Sequence, residues 1–375
     1  MLHNAHTQQF IDFCKQFATK YIRPNVLAWD KAGAFPKWLY EELGKAGFLG
    51  MQIPEEYGGT ALDYHTYTQA IIEISKVCGS VGLFIAAHNS LVSRHIVQFG
   101  SDMQKAKYLP QLASGEYLGA WALTEPSAGS DAVSLQCNAV FDGNSWVLNG
   151  SKIFITQGAS AQVVVVLAKT GNEKNNITAF LVEKGTKGFS AGKPLDKLGM
   201  KACETVQLFF DNCIVPDSNR VGNAGEGFRQ AMQILDGGRI SITALSLGIA
   251  KGAYQIALQY AKQREQFGKK IIDFQATGFK LSQTATELYA AELMLKDACA
   301  KKDAGLSTTK ESAMCKFFAS ELAVKTANDA VQILGGYGYT TDYLIEKYYR
   351  DAKLCTIGEG TSEIQQLIIL KEIWK

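Results

Sequence analysis

The chain has 375 residues, 47% hydrophobic and 20% charged, with only 7 prolines, enough apolar content to bury a large core spread over two or three domains. A net charge of +2 carries no polyanion-binding signal, so nucleic acid is not an expected partner, and apolar runs such as Val163-Val164-Val165-Val166-Leu167 are strand-length, far short of a membrane span. The opening Met1-Leu2-His3-Asn4-Ala5-His6 lacks the basic and apolar regions of a signal peptide, as expected of a cytoplasmic protein or a mature mitochondrial matrix one.

Three zones of different hydrophobic period follow in chain order. Residues 1–117 read as an all-α domain: Phe10, Phe13, Phe17 and Tyr21 recur every three or four residues, and Trp38 to Leu43 follow Pro36 as a helix start. Residues 118–221 turn β-branched and aromatic. Strands are predicted at Ile153–Ile155, Gln162–Leu167, Thr178–Val182 and Val206–Phe210, with turns at Asp142-Gly143 and Asn149-Gly150, giving a β-barrel or sandwich. Residues 222–375 are helical again, with Ile242, Leu245, Ile249, Ala253, Ile256 and Tyr260 on one face. Thr308 with Glu311 predicts a capping-box start for a helix ending at Gly335-Gly336, and four such helices suffice for a bundle. The fold class is therefore α+β multidomain, and with no internal repeat or low-complexity linker its domains should pack against one another.

The eight cysteines are scattered without a CxxC pair and read as reduced thiols; Cys203 and Cys355 lie near the motifs below, where small-residue packing is the favoured role. Five histidines give no metal pattern; His88 and His95 share a helical face without a third ligand nearby, and no metal is expected.

Two segments carry chemistry. In Cys355-Thr356-Ile357-Gly358-Glu359-Gly360-Thr361-Ser362-Glu363-Ile364-Gln365 a carboxylate stands between two glycines, ahead of hydroxyl residues that can cap a helix containing Ile364, Leu367, Ile368 and Leu370. The plain alternative is a capped C-terminal helix with an exposed glutamate in its first turn. Gly119-Ala120-Trp121-Ala122-Leu123-Thr124-Glu125-Pro126-Ser127-Ala128-Gly129-Ser130-Asp131 is an extended apolar segment entering a turn dense in hydroxyls and small residues, where backbone amides can face a phosphate or a flavin.

Together these segments resemble the acyl-CoA dehydrogenase family, and the resemblance extends through Leu235-Asp236-Gly237-Gly238-Arg239, Gln263-Arg264-Glu265-Gln266-Phe267-Gly268, Phe274-Gln275-Ala276 and Gln332-Ile333-Leu334-Gly335-Gly336-Tyr337-Gly338. It implies an N-terminal helical domain, a middle β domain and a C-terminal four-helix bundle, matching the three zones in order. It also implies FAD, an acyl-CoA substrate oxidised between its α and β carbons, electron-transfer flavoprotein as electron acceptor, and a homotetramer built as a dimer of dimers. The resemblance is greatest to the short-chain or branched short-chain type.

By the same resemblance Glu359 is the base, its N–H helps hold the thioester oxygen as enolate character develops, and Gly360 keeps the space open for substrate. Some relatives place the base just before the arginine of the Leu-Asp-x-x-Arg segment; here that position is Gly238. Thr124 and Thr156 would offer hydroxyls to the isoalloxazine, with Trp121, Leu123, Phe154 and Ile155 as apolar walls, although β-domain packing explains those apolar residues equally well. Phe154 stands where relatives commonly carry Trp. Ser130 would lie between the FAD pyrophosphate and the pantetheine arm, with turn closure as its plain role.

Arg264, Phe267 and Gln275, on a bundle helix, match residues that reach the FAD of a neighbouring subunit; Gln332, Gly335 and Gly336 match those at the adenosine half, and Thr361 and Glu363 complete the cradle. Asp236 and Arg239 match substrate contacts near the start of a helix, with an i,i+3 ion pair as the competing account. An ungapped placement puts Gly82 where the glutaryl-specific branch carries arginine, which disfavours a dicarboxylate. An acyl-thioester oxidase, a carrier-protein-linked acyl dehydrogenase and a non-enzymatic assembly or binding protein that kept the fold stand as alternatives.

Overall fold

The computed structural model describes residues 5–171, 173 and 176–375. Its first part is built from α1 (Ala5–Phe17), α2 (Val26–Ala32), α3 (Lys37–Lys45), α4 (Tyr64–Ser75), α5 (Gly79–Ala87), α6 (Arg94–Phe99) and α7 (Asp102–Ser114). The aromatic repeat of α1 exists to meet Phe48: the rings of Phe10, Phe13 and Phe17 lie 6.5, 5.9 and 4.9 Å from it. Pro36, with φ already at −71°, is the N-cap of α3.

The middle part is a sheet of β1 (Gly119–Ala122), β2 (Asn138–Phe141), β3 (Ser145–Thr156), β4 (Val163–Lys169), β5 (Ile177–Glu183), β6 (Phe189–Ala191), β7 (Thr205–Pro216) and β8 (Arg220–Val221). They are hydrogen-bonded in the order β6-β7-β3-β2-β4-β5-β8, and β1 runs parallel on β4. The sheet turns back on itself around a core in which Val164, Val166 and Phe180 meet Leu148, Val206 and Leu208. The alternate residues Val163, Val165 and Leu167 face a second core shared with Tyr108, Leu112, Ala231 and Leu235 of the flanking helices. β4 is therefore buried on both faces, which explains its unbroken apolar run. Asp142-Gly143 forms its predicted turn, with Ser145 N–H donating to Asp142 Oδ1 at 2.8 Å. Asn149-Gly150 does not turn. It makes a bulge inside β3, where Gly150 has φ +138° and an added Cβ would lie 2.7 Å from Cys137 Cα.

The last part comprises α8 (Gly227–Gln263), the short β9 (Glu265–Gln266) and β10 (Lys269–Lys270), α9 (Gln275–Asp303), α10 (Thr309–Leu334), α11 (Ile345–Cys355) and α12 (Ser362–Ile373). α8 to α11 form the bundle, and the N-terminal helices share its core: Phe17, Ile71, Phe84, Leu245, Leu288 and Ala323 belong to one continuous buried cluster. α10 starts after Thr308 as predicted, but the capping box is absent. Thr308 Oγ1 is buried without a partner, and Glu311 is drawn to Lys301, 2.9 Å away. All eight cysteines are buried free thiols, and burial pushes Cys203 up to about 12, so it is held as a thiol. Among the described residues no helix is long and apolar enough to cross a membrane.

Candidate active site

Residues 356–361 connect α11 to α12 in a turn tied at several points. Ser362 N–H donates to the Thr356 carbonyl at 3.0 Å, and Thr361 Oγ1 accepts from Ile364 N–H at 3.3 Å, so Thr361 is the cap. Ser362 is turned instead to Glu321 Oε1, at 2.5 Å, and Glu363 is exposed in the first turn of α12. Glu359 has φ +55° and Gly360 φ +94°. A left-handed backbone costs a non-glycine residue about 1–2 kcal/mol and persists only where its surroundings impose it. Here Lys316 Nζ and Gln365 Nε2 both donate to the Gly360 carbonyl, at 2.7 and 2.9 Å. A Cβ on Gly360 would lie 2.6 Å from Gln365 Nε2, so glycine is needed for contact as well as for φ.

This turn aims the Glu359 side chain into the interior, although the residue as a whole stays partly accessible. Its Oε2 is buried with no hydrogen-bond partner. It faces α8 at Gly238, where an added Cβ would stand 2.0 Å from Oε2 and 3.1 Å from Leu91 Cδ2. Gly238 thus supplies the volume the carboxyl occupies, and any side chain there would compete for it. One residue earlier, a Cβ on Gly237 would come within 2.9 Å of the Tyr64 hydroxyl, and Tyr67 Oη lies 3.0 Å from Ser241 Oγ. Burial pushes Glu359 up to about 7, against the pull of Arg239 and Lys316 towards the ionised form. Farther along α5, a Cβ on Gly82 would be 2.0 Å from Ser75 Oγ and 3.1 Å from Leu245 Cδ1, so any side chain there would have to displace its buried neighbours.

Asp236 and Arg239 lie inside α8, and Asp236 meets the start of α10 at Thr309. They make the i,i+3 ion pair, with Arg239 Nη1 donating to Asp236 Oδ1 at 2.5 Å, while Thr309 Oγ1 donates to Asp236 Oδ2 at 2.8 Å. Arg239 is buried, and that burial lowers its basicity.

A second group of predicted residues gathers where β1 leaves the sheet beside the end of β3. Ile153 N–H donates to the Thr124 carbonyl at 2.9 Å, and the register slips between Lys152 and Ile155. This bulge puts Phe154 at φ +61° and leaves it 64% exposed, whereas the Ile155 side chain turns into the β core and is not an open apolar wall. Leu123 is buried beneath, its carbonyl accepting from Lys152 Nζ at 3.0 Å. Lys152 also pairs with Glu125 at 2.7 Å, both fully buried, and Glu125 accepts from Cys137 N–H at 2.9 Å. Ser130 lies exposed beyond the turn that Glu125 closes with Ala128.

Trp121 is half-buried and its indole N–H donates to His95 Nδ1 at 3.1 Å. Burial pushes His95 down to about 4, so it is neutral, with its own proton on Nε2 shared with Gln230 Oε1 at 3.1 Å. His88 is held likewise, against the Leu112 carbonyl at 3.1 Å. An exposed aromatic ring on a strained bulge and an indole locked in orientation, with Thr124 and Thr156 half-buried beside them, fit a flat ring with polar edges such as an isoalloxazine.

The third group is elsewhere. α8 ends at Gln263, so the Arg264 to Gly268 segment is not on a bundle helix: Phe267 (φ +52°) and Gly268 (φ +78°) form the tight turn that joins β9 to β10. The helix ends as Arg264 turns extended, and the consecutive left-handed residues make the hairpin. Arg264, Gln266, Gly335, Gly336 and Tyr337 line one cleft of about 470 Å³ to which no β-domain residue contributes. Phe267 is 94% exposed, Gln275 opens α9, and Gln332 is exposed beside the cleft. Lys316 and the Lys152–Glu125 pair were not singled out from the sequence, where His95 was weighed only as a metal ligand, not as the partner of Trp121. A signal existed for the first: Lys316 interrupts the apolar Ala313-Met314-Cys315 and Phe317-Phe318 of a core helix.

Residues 4–116, 120–213 and 225–374 match, in turn, the acyl-CoA dehydrogenase N-terminal, middle and C-terminal domains. The chain belongs to the acyl-CoA dehydrogenase family. It is 47% identical over 359 residues to an acyl-CoA dehydrogenase of Bacillus subtilis (strain 168), covering 95% of each chain. The structure of butyryl-CoA dehydrogenase from Megasphaera elsdenii superposes with a TM-score of 0.98 at 39% identity over the whole of both chains. A solved structure from work on the electron transferring flavoprotein of Acidaminococcus fermentans gives 0.97 at 43% identity, again over both whole chains. As a member, this protein is an oxidoreductase that uses FAD to dehydrogenate acyl-CoA.

Proposed function

We propose that Glu359 removes the α proton of a short saturated acyl-CoA, so that the product is the trans-2-enoyl-CoA. The observation that carries this reading is the buried, unpartnered Oε2 over the space left by Gly238, on a carboxyl that burial raises to about 7. A carboxyl tuned there is about half ionised at neutral pH and basic enough to take a proton. The Glu359 N–H, which has no acceptor among the described residues, is free to donate to the thioester oxygen. FAD, when bound, supplies the acceptor for the β hydride. Trp121, Leu123, Thr124, Phe154, Ile155 and Thr156 hold its flavin ring, Ser130 stands by the pyrophosphate and pantetheine, and Asp236 and Arg239 order the substrate side.

Arg264, Phe267 and Gln275 reach the FAD of a second copy, Gln332, Gly335 and Gly336 meet the adenosine half, and Thr361 and Glu363 complete the cradle. The open cleft lined by Arg264, Gly335 and Gly336 and the bare Phe267 ring support this, since a lone chain gains nothing by exposing a phenylalanine at the tip of a hairpin. The assembly is a tetramer built as a dimer of dimers, in the cytoplasm or mitochondrial matrix, passing electrons to electron-transfer flavoprotein.

The test is anaerobic mixing of the flavin-loaded protein with butyryl-, isobutyryl-, octanoyl- and glutaryl-CoA. Flavin bleaching by a short monocarboxylic thioester is expected, and Glu359→Gln should retain FAD while slowing bleaching by roughly two to four orders of magnitude. No bleaching with any thioester, or an equal rate in the variant, would overturn the reading.

A further inference from the structure

Lys316 takes no part in the chemistry above, yet it is completely buried in the middle of α10. An amine removed from water needs a strong partner, and burial pushes this one down to about 8. Its hydrogen bond goes to no carboxylate but to the Gly360 carbonyl, 2.7 Å away, one residue past Glu359. Among the described residues it makes no ion pair. Arg239, the other cation near Glu359, is already bonded to Asp236. The titratable groups around the Glu359 carboxyl are Arg239 from α8, Lys316 from α10 and, at lesser influence, Tyr67 from α4; Glu321 of α10 and Cys355 of α11 act on Lys316 itself.

We propose that Lys316 is a positioning residue for Glu359: it pins the Gly360 carbonyl, which keeps Glu359 in its left-handed conformation, and its unshared charge favours the ionised, proton-accepting carboxylate. The inference rests on Glu359 being the base. A lysine that merely filled space in the core would be replaced by methionine without altering how the rate depends on pH.

The experiment is the pH profile of anaerobic flavin reduction by butyryl-CoA in the flavin-loaded protein, for the parent, Lys316→Met, Lys316→Arg and Glu359→Gln. Losing a neighbouring cation makes the carboxyl harder to ionise, so the acid limb of Lys316→Met should move up by about one pH unit and the rate on that limb should fall about tenfold. Lys316→Arg should bring the limb back towards the parent. If Lys316→Met does not fold, Lys316→Gln, which keeps a polar end without charge, is held to the same criterion. An unmoved limb in a variant that holds its flavin overturns the role of Lys316. A parental rate in Glu359→Gln overturns instead the base assignment on which it rests.

Discussion

The surroundings of Glu359 and of Arg264 are announced by motifs of similar clarity, yet they fold into opposite kinds of site. Glu359 is enclosed by its own chain: α4, α8, α10 and the turn before α12 supply its neighbours, its charge partners and the space it fills. Arg264 stands in an open cleft beside a phenylalanine that is 94% exposed. The enclosed site stores its cost within one chain, as a strained backbone and a carboxyl held away from water. The open site also carries a left-handed residue, Phe267, but it holds no carboxyl away from water, and its main cost is unfilled surface. A base must be desolvated before substrate arrives, whereas a cofactor clamp shared between copies can be completed by assembly.

The contrast is sharpened most strongly at Gly238. Gly238→Ala should fold, because its new methyl meets the movable end of the Glu359 side chain rather than backbone, but it should push the carboxyl aside. Flavin reduction should slow by roughly tenfold to a hundredfold, the scale of loss for an ångström of misplacement, with FAD retained. A parental rate would mean the carboxyl does not work where it now lies.

The enclosed site also makes a claim about stability. Burial raises Glu359 from 4.5 to about 7, so the folded state resists its ionisation. The resulting destabilisation is absent below pH 4.5, where the carboxyl is protonated in both states, grows between the two values and is complete above pH 7. Glu359→Gln should therefore be more stable than the parent above pH 7, by at most about 3 kcal/mol, with the gain fading as pH falls from 7 to 4.5. Thermal melts at pH 4 and pH 8 check this, and an equal difference at both would show that the carboxyl is not held against ionisation.

At the open site Arg264→Ala should weaken FAD binding about tenfold, the worth of one charge-assisted hydrogen bond, and loosen the oligomer with it. Added FAD should restore the lost melting temperature by mass action. Size-exclusion chromatography read at flavin wavelengths decides: a variant that elutes like the parent with full flavin would make Arg264 an ordinary surface charge.

Hydrophobic period and turn chemistry were enough to read the order of helical, β and helical regions, the four predicted strands, the Pro36 helix start and a hydroxyl cap at Thr361 or Ser362, because each depends on neighbours within a few residues. The same local cues misled where distant partners intervened. Asn149-Gly150 is a bulge because β7 continues alongside it, and Glu311 leaves Thr308 uncapped because Lys301 from α9 claims it. Arg264 lies in a hairpin although the periodic pattern of α8 runs up to it, since Phe267-Gly268 takes a turn that a helical repeat does not encode. The sequence by itself determined which residue types were available: a glutamate between glycines, paired hydroxyls, an arginine beside Gln-Phe-Gly. Only the tertiary structure decided that Gly238 clears the volume for Glu359, that Lys316 holds its turn and that His95 orients Trp121. Those contacts join residues far apart in the chain, and burial and electric field, which depend on everything within several ångströms, exist only once the chain has closed around them.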